Sequence, residues 1–102
     1  MKVELLVVPS CPNEAPAHEA YRRALLSLGI EAEINTVVID NYDQAQARGF
    51  LGSPSFFIDG SDLLPAAGAT PGVACRVYNT PAGLAGVPER DALVKAIATR
   101  TH

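Results

Sequence analysis

The hydrophobic and polar positions of this chain change rhythm several times, and each change marks an element. Val3 to Val8 (Val-Glu-Leu-Leu-Val-Val) is a nearly continuous apolar run closed by Pro9. A run that short and that apolar predicts a strand covered on both faces. From Asn13 to Leu28 the period lengthens. Ala17, Ala20, Tyr21, Ala24, Leu25 and Leu28 recur at spacings of three and four, with Glu19, Arg22, Arg23 and Ser27 on the other side. This predicts an amphipathic helix stopped by Gly29. Its start has two readings, with either Pro12 or Pro16 in the first helical position, the second leaving residues 13–15 as an irregular turn.

Ile34, Thr36, Val37, Val38 and Ile39 give Glu31 to Ile39 the β-branched character of a second strand. Asn41 and Asp43 offer caps for a short helix over Tyr42 to Arg48, ended by Gly49. Ser55 to Ile58 is a third strand, entered through Gly52-Ser53-Pro54 and left through the turn Asp59-Gly60. Ser61 to Gly72 reads as a loop, Val73 to Tyr78 as a fourth strand, and Asn79 to Val87 as a Gly/Pro-rich connection. A final helix follows, with Pro88 at its first position, Glu89 and Asp91 in its first turn, and Leu93, Val94 and Ile97 on its buried face. The order β-α-β-α-β-β-α is that of an α/β fold, a four-stranded mixed sheet flanked by helices. Its first crossover should be parallel and right-handed, its last two strands antiparallel.

Composition narrows the class. With 48% hydrophobic and 19% charged residues, the 102-residue chain reads as one domain, 1–102, with a single core. A net charge of -3, with eight scattered basic residues, argues against nucleic acid as a partner. No apolar run approaches the roughly 18–20 residues that span a bilayer, so no membrane partner is expected. The opening Met1-Lys2-Val3-Glu4 lacks the features of a secretory signal, and two cysteines then read as cytoplasmic thiols. No Gly-rich phosphate loop or four-ligand metal spacing occurs, and no cofactor is implied.

The candidate chemistry centres on Cys11, in Val8-Pro9-Ser10-Cys11-Pro12-Asn13-Glu14. A cysteine where a strand hands over to a helix lies near the unpaired amides of the first turn, which with the helix dipole favour a thiolate. The alternative is a small buried residue closing the strand. A redox dithiol would carry its second cysteine where this chain has Glu14, so Cys-Pro-Asn-Glu cannot close a disulfide within itself. Glu14 either complements the helix dipole or modulates the sulfur, by like-charge repulsion or as a proton shuttle. His18, an i,i+4 neighbour of Glu14, reads as a surface histidine. Tyr78 reads as a packing residue with a wet hydroxyl, and Arg76 has the side chain to bind a ligand carboxylate.

A cysteine after the first strand and a proline opening the third resemble the thioredoxin superfamily in its minimal, glutaredoxin-sized form. More narrowly, Ser10-Cys11-Pro12-Asn13, Gly52-Ser53-Pro54-Ser55-Phe56-Phe57-Ile58-Asp59-Gly60 and Ala74-Cys75-Arg76-Val77-Tyr78 resemble a group of small bacterial thioredoxin-like proteins. Some of these are described as alkylmercury-lyase-related. The resemblance implies a thioredoxin-like fold with Cys11 as the attacking cysteine and Pro12, Ser53 and Pro54 at the substrate. It also implies a cis Ser53–Pro54 bond, with the Ser53 backbone facing the nucleophile and pairing with an extended thiol ligand.

Cys75 is the other thiol. If the fourth strand runs back from the far end, Cys75 lies three residues before Tyr78, about 10 Å from the active end at about 3.3 Å per residue. A disulfide needs Cα atoms within about 7 Å, so Cys75 reads as a core residue or a separate site, and as a modulator or disulfide partner of Cys11 only if the preceding loop reshapes the strand. The leading expectation is a monothiol oxidoreductase in which Cys11 attacks a disulfide. Its partners would be a protein or low-molecular-weight thiol or disulfide, with an external thiol completing the cycle. The alternatives are a soft-metal protein holding mercury or copper(I) through Cys11 and Cys75, or a non-catalytic thioredoxin-fold binding domain.

Overall fold

β1 (Val3–Val7) is buried along its whole length, as its nearly continuous apolar run requires. It lies inside a four-stranded mixed sheet of order β2-β1-β3-β4 in the computed structural model, which describes residues 1–66 and 68–101. Ala67, within the loop expected over 61–72, and His102 lie outside the described residues. β2 (Ile34–Val38) pairs parallel with β1, from Val3 opposite Ile34 to Val7 opposite Val38. β3 (Ser55–Ile58) pairs antiparallel on the other side, with Val3 opposite Ile58 and Leu6 opposite Ser55. The parallel step is bridged by α1 (Glu14–Ser27), and α2 (Tyr42–Arg48) and α3 (Arg90–Thr101) complete the three helices. No described helix is long and apolar enough to cross a membrane.

Alternation along the strands divides the core between the two faces of the sheet. Leu5, Val7, Phe56 and Ile58 face α1 and α3, meeting Tyr21 and Leu25 from one helix and Leu93 and Ile97 from the other. Tyr21 fixes the α1 contact twice, edge-on to Phe56 at 5.1 Å and through its hydroxyl, which donates to the Phe57 carbonyl at 2.8 Å. Leu6 and Phe57 point the other way, onto Ala45 and Phe50. Glu4, the one acid inside β1, is 3% exposed and accepts a hydrogen bond from Arg48 of α2 at 2.6 Å. A charged residue in an apolar strand is thereby paired rather than stranded.

The expected fourth strand is wrong, and the reason is a turn. Asp59 and Gly60 have positive φ values of 50° and 85°, the conformation of a two-residue hairpin that keeps the strand twist. The chain therefore doubles back at once. β4 (Ser61–Asp62) pairs with Phe57 and Ile58, where the sequence reading had a loop. Residues 73–77 are consequently outside the sheet. Downstream, β5 (Tyr78–Thr80) and β6 (Gly83–Ala85) form a separate two-stranded ribbon that runs from the last residue of the expected strand into the expected Gly/Pro-rich connection. α3 begins at Arg90, after Pro88, with the Glu89 carbonyl accepting from the Ala92 and Leu93 amides. From its last turn, Arg100 donates to the Ile58 and Asp62 carbonyls and ties the helix to the β3–β4 hairpin.

Candidate functional site

Cys11 lies in the turn between β1 and α1, entered through Ser10 with a positive φ of 58°. It is 8% exposed and packs in the same apolar cluster as Val7, Phe56 and Tyr78. The residue is largely buried and stands at the strand-to-helix turn. The helix end offers the sulfur fewer amides than a generic first turn. Glu14 N–H donates to the Cys11 carbonyl at 3.2 Å, Pro16 has none to give, and Ala17 N–H bonds the Asn13 carbonyl at 2.9 Å. That leaves Ala15. Neither Pro12 nor Pro16 opens the helix. Glu14 does, with Pro16 third, where a missing amide breaks no helical bond. Glu14 is half-buried, at the position where an acid complements the dipole. His18 is half-buried on the same helix.

The loop 52–54 is tied to the end of β1 and to Tyr78, which packs in the Cys11 cluster. Val8 N–H donates to Ser53 Oγ at 3.0 Å, and the Tyr78 hydroxyl donates to the Pro54 carbonyl. Ser53 and Pro54 are fully buried, and the bond between them is cis. Tyr78 therefore does not carry a wet hydroxyl, because the ring is 7% exposed and its oxygen is engaged.

Cys75 is not where the sequence reading put it. Ser53 N–H donates to the Ala74 carbonyl at 2.8 Å, and Arg76 N–H donates to the Ser53 carbonyl at 2.9 Å. Cys75 stands opposite Ser53 in a parallel bridge, at the loop rather than about 10 Å along a strand. The mistake follows from the missed hairpin. With Ser61–Asp62 taking the edge of β3, residues 73–77 are released to run beside the loop. Cys75 is exposed, as are Val73 and Val77, and both cysteines are free thiols.

Arg76 proves to be internal rather than a ligand-binding group. Its guanidinium donates to Asp62 Oδ2 at 2.8 Å, to Ser55 Oγ at 3.0 Å and to the Leu64 carbonyl, and it lies 4.7 Å from the Tyr78 ring centroid. The Arg76 and Asp62 side chains are 7% and 8% exposed. No protein-family model, curated protein or solved structure matches this chain. The sequence assigns no role to Gly52 or Asp62, and its reading of Arg76 as a ligand-binding side chain gives way to an internal partner of Asp62. A signal existed, since Arg76 and Tyr78 share parity in the 73–78 segment, which placed a charge on the face that Tyr78 buries.

Proposed function

We propose that this is a thioredoxin-like thiol–disulfide exchange protein acting through Cys11 alone. The observation that carries the reading is the juxtaposition of the Cys11 turn with the Ser53–Pro54 loop. That loop is tied to the end of β1 by the Val8–Ser53 bond and to the Cys11 cluster through Tyr78. The sheet order, with its parallel β1–β2 step and antiparallel β3, is compatible with a thioredoxin-like arrangement.

In the first step the Cys11 thiolate attacks one sulfur of a disulfide RS–SR. A Cys11–S–SR bond forms, the RS–SR bond breaks, and RS⁻ leaves with the electron pair. An external thiol, as thiolate, then attacks the bound R-sulfur, forming a new disulfide and returning Cys11 as thiolate. Glu14 occupies the position that would otherwise supply an internal resolving sulfur. The test is adduct formation with a small disulfide at neutral pH, followed by mass. In a Cys75→Ser background we expect one adduct, abolished by Cys11→Ser, forming about tenfold or more faster than in the denatured chain. A folded-state rate equal to or below the denatured one rejects the reading.

A further inference from the structure

We propose that residues 72–76 form a fixed strap over the backbone edge at Ser53, and that Cys11 consequently acts on low-molecular-weight disulfides rather than on disulfides within extended polypeptide. This rests on the Cys11 reading above and names its substrate class. An extended chain docks at a strand edge by adding its own amides and carbonyls to free ones. At Ser53 both groups are already engaged, the amide with Ala74 and the carbonyl with Arg76. Its hydroxyl is also taken, by Val8. Gly72 N–H extends the contact to the Phe50 carbonyl at 3.2 Å.

The strap is built in rather than merely lying there. Gly52 has φ of +130°, and a Cβ on it would stand 2.9 Å from Arg76 Cβ and 3.3 Å from the Ala74 carbonyl. Only a residue without a side chain lets the two backbones approach so closely. Arg76 then pins the segment through Asp62, Ser55 and Leu64. Lifting the strap would leave a buried carboxylate without its partner, a strongly unfavourable change. A polypeptide must displace all of this to pair with Ser53, whereas a small disulfide needs only the sulfur of Cys11.

The test uses the Cys75→Ser protein and two probes, 2-hydroxyethyl disulfide and a disulfide-linked pair of short extended peptides. With the first, Cys11 gains a hydroxyethylthio group and 2-mercaptoethanol leaves. With the peptide pair we expect exchange slower by about tenfold or more, because two backbone bonds must first be surrendered. Arg76→Ala and Gly52→Ala should each raise the peptide rate about tenfold and leave the small-disulfide rate within about twofold. Hydrogen exchange reads the strap without any thiol chemistry. The Ser53 and Arg76 amides should be protected about a hundredfold or more in the parent and lose that protection in the variants. Unprotected amides in the parent, equal rates for the two probes, or folded variants with no gain toward peptide each overturn the proposal. Protected amides with Cys11 inert to both probes leave the strap standing, but reject the thiol reading and the substrate class with it. Should both variants fail to fold, the parent's rate ratio and exchange pattern still decide.

Discussion

The face of the sheet under α1 and α3 and the segment that crosses the Ser53 loop are held by opposite means. The first is apolar contact spread over both helices and two strands, with Tyr21, Phe56, Leu93 and Ile97 all fully buried. The second has one guanidinium at its centre, reaching a carboxylate, a hydroxyl and a carbonyl at once. Distributed packing degrades gradually as side chains are trimmed, whereas a polar hub fails when a single residue is replaced. The core therefore loses stability in proportion to the volume removed at each position, whereas the segment at Ser53 loses its side-chain anchor at one residue, Arg76.

Phe56→Ala should lower stability by about 3–5 kcal/mol. Denaturant unfolding should register this as one cooperative transition at a lower midpoint; a second, earlier transition would show that the face is not a unit. Arg76→Met should lower stability by about 3 kcal/mol, because Asp62 is left buried without its partner. Adding Asp62→Leu should restore most of that loss. A double variant as unstable as the single would mean that the hydroxyl and carbonyl bonds, not the ion pair, hold the segment.

A pH titration addresses both regions together. Burial, first of all, holds Tyr21 in the core and Tyr78 beside Arg76 well above the ordinary phenol value of 10.0. The unfolded chain releases those protons near 10.0 while the folded one keeps them. Stability is therefore intact below that pH and declines as pH rises past it. In a Tyr42→Phe background, phenolate absorbance should rise together with loss of helical circular dichroism. Ionisation of either tyrosine in a chain that is still folded would contradict the burial. The smallest effect separates two asparagines at helix starts. Asn41 Oδ1 accepts from the Gln44 amide at 2.9 Å, whereas Asn13 makes no side-chain cap. Asn41→Ala should lower stability by about 1 kcal/mol and Asn13→Ala by less than half of that, measured by the same denaturant midpoints.

The same contrast explains what could be read from the sequence. Val3–Val7, the α1 stripe, Tyr42–Arg48 and Ser55–Ile58 announce themselves by period and punctuation, because their partners are set by alternation and helical spacing. The approach of the Ser53–Pro54 loop to the end of β1, through Val8, has no periodic signature. Nothing periodic links Arg76 to Asp62, fourteen residues away, so the strap was invisible as a pattern. Asp59-Gly60 signals a turn in the sequence but does not by itself signal a hairpin, and the hairpin decides where both the fourth strand and Cys75 lie.

That two-residue turn has a consequence for how the chain can vary in length. It fixes the register in which Asp62 meets Phe57, and so the side of the hairpin on which the carboxylate emerges. One inserted residue would reverse the alternation of β4 and carry Asp62 away from Arg76. Substitutions at positions 59 and 60 that keep positive φ leave the geometry intact, while an insertion or deletion there unfastens a segment more than ten residues downstream. The hairpin is therefore tolerant of composition and intolerant of length.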